Sequence, residues 1–231
     1  MSKATNTWVR TRAACSKLVV LNQVDSTNTY LAEDTDLPDY SVVISLDQTS
    51  GRGRWGREWI SRPGEGIAIS VLAPASGRVD AKNLTLMPLL VGASVVSVIS
   101  ASSQIPVTMK WPNDIMVGEK KLGGILCEVR RDHKVVVGIG LNLEFKGAQP
   151  SARAVSLSEM TLVNASTLDG LVAEIVRQLT VNLNGPESEQ KQLVTEALGT
   201  INRFVRVRIR EGVEWTGVAL GIEDSGALRI R

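Results

Sequence analysis

At 231 residues, with 43% hydrophobic and 22% charged side chains, the chain is long and apolar enough to close one substantial core, which excludes a disordered polypeptide. Lys and Arg total 26 against 24 Asp and Glu, a near balance that argues against a general nucleic-acid binder. Two cysteines, Cys15 and Cys127, cannot make a disulfide framework, and the lone His133, set in the charged run Arg130-Arg131-Asp132-His133-Lys134, disfavours zinc and a His-based triad.

The opening stretch, Met1 to Lys17, is polar and has no apolar segment of signal-peptide length, so a cytoplasmic protein is expected. Strand-like runs rich in Val and Ile follow at 18–21, 42–46 and 67–72. Residues 84–109 carry no charge, but Thr85, Ser94, Ser97, Ser100, Ser102, Ser103 and Gln104 are too polar for a membrane span. A buried helix running into a strand is expected there, with Pro88 in its first turn, where a missing N–H does little harm. Further strands are expected at 107–111, 124–129 and 135–143.

Leu168, Leu171, Val172, Ile175 and Leu179 recur at helical spacing after a cap at Thr167, and Pro186 opens a second helix that Gly199 closes. Beyond it, Phe204-Val205-Arg206-Val207-Arg208-Ile209-Arg210 alternates strictly, and 213–220 and 227–230 follow across glycine turns as a small β module. The fold class expected is α+β: a mixed sheet flanked by helices over 1–199, and a small β domain over 200–231.

Four motifs can carry chemistry. In Gly51-Arg52-Gly53-Arg54-Trp55-Gly56-Arg57-Glu58-Trp59, the glycines let the backbone bend close to a ligand while Arg52, Arg54 and Arg57 fork onto carboxylate or phosphate oxygens. The bland alternative is a solvated basic loop. Lys110-Trp111-Pro112-Asn113-Asp114 puts a cation and a carboxylate around a proline turn at a strand end, a common structural turn when taken alone. Lys120-Lys121-Leu122-Gly123-Gly124 offers a lysine reaching over bare backbone toward a phosphate, or a hairpin with two solvated lysines. Gly138-Ile139-Gly140-Leu141-Asn142 interrupts a strand with glycines, which implies a close approach by backbone or ligand, or a bulge.

Taken in order, Asp25-Ser26-Thr27-Asn28, Gln48 with the arginine-glycine run, Lys110-Trp111-Pro112-Asn113-Asp114, Lys121-Leu122-Gly123-Gly124-Ile125-Leu126 and Gly138-Ile139-Gly140-Leu141-Asn142 resemble the biotin protein ligases over residues 25–142. The combination is far more specific than any one piece. The resemblance implies a class II synthetase-like catalytic core with an SH3-like C-terminal module, in the short form without an N-terminal DNA-binding domain. The module is expected to be minimal, because the chain stops at Arg231.

It also implies a two-step reaction in which biotin and ATP, with Mg²⁺, give biotinyl-5′-adenylate, and the acyl group then passes to one lysine of a biotin carboxyl carrier protein domain. By matching position, Ser26, Thr27, Asn28 and Gln48 would bind the ureido ring of biotin, with Gly51, Arg52, Gly53, Arg54 and Gly124 around biotin and the acyl phosphate. Lys121 would sit at the carboxylate and the α-phosphate; Arg52, Arg54 and Lys121 are the catalytic candidates. Arg57, Trp59 (stacking on adenine), Asn142, Lys110, Asn113 and Asp114 would contact ATP, with the metal ligands open. A homodimer is compatible with exposed sheet edges. Rival readings are a lipoate or octanoate ligase or transferase of related fold and a non-catalytic biotin-binding regulator; no nucleic-acid or membrane partner is expected.

Overall fold

The computed structural model describes residues 8–231 except 61, 75–84, 104, 148, 162 and 211. Residues 1–7 of the polar opening, and Leu84 and Gln104 of the uncharged stretch, lie outside the described residues. In chain order the elements are α1 (Val9–Ala14), β1 (Lys17–Leu21), α2 (Thr27–Glu33), β2 (Ser41–Ser45), β3 (Gly66–Ala73), α3 (Leu86–Ser102), β4 (Val107–Lys110), β5 (Asp114–Val117), β6 (Lys120–Val129), β7 (Val135–Asn142), α4 (Ala165–Asn184), α5 (Glu187–Ala197), β8 (Phe204–Arg210), β9 (Val213–Ile222) and β10 (Leu228–Ile230). Seven strands form one sheet in the order β1-β2-β3-β7-β6-β5-β4, and three form a second, β10-β9-β8. Only β1 and β2 pair in parallel within the larger sheet, which is therefore mixed, as expected.

Side-chain alternation decides what each face of the large sheet does. Odd positions of β3 and β7 (Ile67, Ile69, Val71; Val135, Val137, Ile139, Leu141) pack with α3 and α4 in the main core. Even positions face the other way. There Leu72 and Val136 meet Leu31 of α2 in a smaller cluster, while Ala68, Ser70, Gly138 and Gly140 leave the sheet nearly bare. Strand register lines up Ala68, Gly140 and Gly124 in one row and Ser70, Gly138 and Leu126 in the next. A floor of small residues, open beside α2, is thus built into three adjacent strands.

The uncharged stretch forms α3, buried along most of its length between sheet and helices, with Ser94 satisfied by Leu90 O (2.8 Å) and Asn182 Nδ2 (2.8 Å). Among the described residues no helix is long and apolar enough to cross a membrane.

Several details differ from the sequence reading. Asn164, not Thr167, caps α4: its Oδ1 accepts from Ser166 N and Thr167 N at 3.0 Å each, and Asn164 N donates in return to Thr167 Oγ1 at 2.8 Å. Periodicity began at Leu168, one turn inside the real start. Strand β6 begins at Lys120 and pairs with the four-residue β5, so the third motif is a hairpin with Gly118 at positive φ. The glycines of β7 keep register throughout, and the irregularity lies instead between Ile115 and Met116 of β5. Cys15 and Cys127 are free thiols.

Candidate functional site

A cavity of about 550 Å³ opens over the small-residue floor, within the range of sites that enclose a small ligand. Ser26, Thr27, Asn28, Gln48, Arg52, Gly53, Arg54, Arg57, Trp59, Asn113, Asp114, Lys121 and Gly124 all line it. Gly51 lies in the adjoining depression behind the loop. Two expected residues fall elsewhere. Lys110 is exposed at the end of β4 and is not on the cavity wall. Asn142 is buried, its Nδ2 donating to Lys121 O (3.2 Å) and Val155 O (2.9 Å), so it supports the backbone under Lys121 and lines a separate hollow with Ile60 and Phe145.

Each floor glycine seats one side chain. A Cβ at Gly138 would stand 2.4 Å from Asn28 Oδ1; at Gly140 it would meet the Trp59 ring at 2.8 Å; at Gly124 it would touch the Lys121 Cε and Nζ at 3.5 Å. The close approach that strand glycines imply is therefore real, and side chains make it.

The wall is set by α2. Thr27 N donates to Gln48 Oε1 at 2.8 Å, leaving Nε2 as the donating end of that side chain. Asn28 Nδ2 donates to Leu126 O (3.3 Å) and Glu128 Oε2 (2.8 Å), and Ser70 Oγ lies 2.6 Å from Asn28 Oδ1 and 2.7 Å from Thr27 Oγ1. Glu128 also pairs with Arg52 Nη2 at 2.9 Å. Neither Ser70 nor Glu128 emerged from the sequence, because each sits in a strand whose alternation reads as ordinary sheet.

The arginine-glycine run is a folded excursion. Trp59 N donates to Gly51 O (2.9 Å), Gly53 N to Arg57 O (2.7 Å), and Arg52 pairs with Glu58 as an antiparallel bridge around a single 3₁₀ turn, Arg54–Gly56. Trp55 takes positive φ at its tip, 68% exposed, with the Arg54 guanidinium 5.9 Å from its ring centroid. Burial draws the Arg54 pKa down from its ordinary value, and the Asp114 carboxylate pulls it back. Burial, aided by Glu128, pushes the Cys127 thiol up, so it stays protonated and unreactive.

Charge converges on the cavity. Arg52, Arg54, Arg57, Lys121, Arg206 and Arg208 line it, against Glu58 and Asp114. Arg206 and Arg208 come from β8; Arg208 is held by Glu214 through Nε (3.1 Å) and Nη2 (3.0 Å). Their alternation marked a strand with a basic face, but only tertiary packing shows that this face meets the cavity. The small sheet is fixed there by Trp111, whose Nε1 donates to Gly226 O (3.0 Å) and whose N donates to Thr200 Oγ1 (2.9 Å). Among the described residues no group of three or more His, Cys, Asp or Glu could hold a metal ion.

Residues 20–142 match the biotin/lipoate A/B protein ligase family. The biotin–[acetyl-CoA-carboxylase] ligase of Mycobacterium tuberculosis is 31% identical over 222 residues, covering 92% of this chain and 82% of that protein. The bifunctional ligase/repressor BirA of Escherichia coli is 30% identical over 223 residues, covering 91% and 68%. Among solved structures, the biotin protein ligase from Aquifex aeolicus in complex with biotin and ATP superimposes with a TM-score of 0.77 at 28% identity, covering 93% of this chain and 91% of that one.

Proposed function

The chain belongs to the biotin/lipoate A/B protein ligase family, and we propose that it activates biotin with ATP and transfers it to a lysine of a biotin carboxyl carrier protein domain. One observation carries the reading. A cavity with a hydrogen-bonding wall at one end, Ser26, Thr27, Asn28 and Gln48, gathers Arg52, Arg54, Arg57 and Lys121 over a glycine floor.

In the first step a biotin carboxylate oxygen attacks the α-phosphorus of ATP, the bond to the bridging oxygen of the β-phosphate breaks, and pyrophosphate leaves. Two anions must approach, so the site has to supply positive charge already in place. Lys121 and Arg54 face the junction of carboxylate and α-phosphate, Arg52 closes over biotin, and Trp59 offers its ring to the adenine. In the second step the acceptor lysine amine attacks the acyl carbon, loses a proton, and AMP departs. Mg²⁺ would enter as a companion of the nucleotide, held mostly by phosphates and water and offsetting the phosphate charge, with Asp114 and Glu58 the wall carboxylates that could reach it.

Residues 1–199 form the catalytic domain in this reading and 200–231 a small domain whose Arg206 and Arg208 reach the cavity. A cytoplasmic protein, with ATP at hand, is the localisation that goes with this reading. Incubation with biotin, Mg-ATP and a carrier domain should add the mass of one biotinyl group to the carrier; an unmodified carrier, whichever carboxylase supplies it, overturns the reading.

A further inference from the structure

The hydrogen-bond chain behind the biotin wall has a direction, and one end fixes it. Ser70 Oγ has a single hydrogen and two neighbours within bonding distance, Asn28 Oδ1 at 2.6 Å and Thr27 Oγ1 at 2.7 Å. Asn28 decides between them. Its Nδ2 faces Leu126 O and the Glu128 carboxylate, the latter ion-paired with Arg52, and both of these only accept. The amide therefore cannot turn over, its oxygen must point at Ser70, and Ser70 must donate to it. Thr27 is then left to donate to Ser70, and its 3.2 Å contact with Gln48 Oε1 gives way.

Both hydrogens of the Asn28 amide and those of the two hydroxyls are consumed inside the protein. What Asn28 and Thr27 still offer toward the cavity is acceptor capacity, the second lone pair of Asn28 Oδ1, lying over Gly138, and that of Thr27 Oγ1, beside the donating Nε2 of Gln48. Such a wall bonds a ring that carries N–H groups and leaves buried acceptors unmatched against one that does not, which is the strong form of discrimination.

We propose that Glu128 is the specificity-determining positioning residue of this site: its carboxylate locks the Asn28 amide so that the cavity selects a ring with N–H donors. This deepens the ligase reading and rests on it. With a neutral Gln at position 128 the side chain both donates and accepts, so only the longer contact to Leu126 O (3.3 Å) still opposes the turning of the Asn28 amide that would present N–H instead.

The test is calorimetric binding of biotin and of the analogue in which ring oxygens replace both ureido N–H groups. The wild-type chain should prefer biotin strongly, and Glu128→Gln should cut the ratio of the two affinities by about tenfold or more. In an Asn28→Ala background the same substitution should leave the ratio unchanged. The Glu128 side chain is 32% exposed and Gln is isosteric, so the variant should fold; Glu128→Ala is read the same way if it does not. Equal weakening of both ligands, or an undiminished ratio, overturns the proposal, as does an equal effect of Glu128→Gln without Asn28, which would route it through Arg52. A wild-type chain that binds no biotin overturns the ligase reading instead.

Discussion

Lys121 Nζ stands 2.6 Å from Asp114 Oδ1, across the paired strands β5 and β6, and 6.0 Å from the centroid of the Trp59 ring. The ammonium is thereby fixed over the bare backbone of Gly124 instead of waving in solvent. A lysine that could have been one of two solvated hairpin residues becomes a preorganised charge.

If that charge stabilises the transition state of acyl-phosphate formation, Lys121→Ala should slow biotin-dependent pyrophosphate release by about 10²–10³-fold, the usual effect of deleting one electrostatic contact. Its half-exposed position should leave the melting temperature nearly unchanged. A rate close to wild type would remove Lys121 from the chemistry.

Gly138→Ala and Gly140→Ala test the two ends of the cavity separately. A methyl at Gly138 collides with Asn28, which its own hydrogen bonds hold in place, so KM for biotin should rise. At Gly140 the methyl displaces the Trp59 ring and KM for ATP should rise. Each should cost about 1–3 kcal/mol of stability through overpacking. Steady-state kinetics in which both variants raise the same KM would contradict this division.

The excursion from Gly51 to Trp59 is closed by a few backbone bonds and the Arg52–Glu128 pair, and its arginines are trypsin sites. Cleavage should occur at Arg52, Arg54 or Arg57 in the free protein and slow several-fold with biotin and ATP together, as ligand anions engage the guanidinium groups. Mass spectrometry of timed digests reads the outcome; identical rates would mean that the segment does not respond to ligand.

Arg130 grips the end of α2 through Leu31 O (3.3 Å) and Asp34 O (2.8 Å), and its pairing with Asp132 holds that carboxyl down to about 2. A folded value below the unfolded one contributes stability at neutral pH that is lost as pH falls from the ordinary 3.8 toward about 2. Asp132 is 43% exposed, so solvent screening keeps the contribution of the pair below about 1 kcal/mol. Urea unfolding should therefore show Asp132→Asn weaker than wild type at pH 7, with the gap closing below pH 3. A gap that widens in acid would refute the sign.

Strands β1, β2, β3 and β7 were legible to within a residue or two because Val and Ile mark them, and α3 because a charge-free stretch of that length must be buried. The helices α1 and α2 were not, since six or seven residues show too little periodicity, and in α2 the leading Thr27 and Asn28 serve the cavity. The site motifs could be read as a set; their geometry could not. Nothing in the spacing of Gly138 and Gly140 says that Asn28 and Trp59 rest on them, and nothing near Glu128 says that it reaches two segments at once. The same separation explains Lys110 and Asn142, whose motif positions suggested ligand contact while strand direction sent one outward and the other into backbone support.

The indole of Trp111 binds Gly226, in the turn between β9 and β10 of the small sheet, from within the same turn that carries Asn113 and Asp114 to the cavity. Exchanging the last thirty or so residues between homologues would therefore be no neutral graft: a chimera whose donor cannot receive that N–H would loosen the mouth of the cavity even with every ligase-core residue retained.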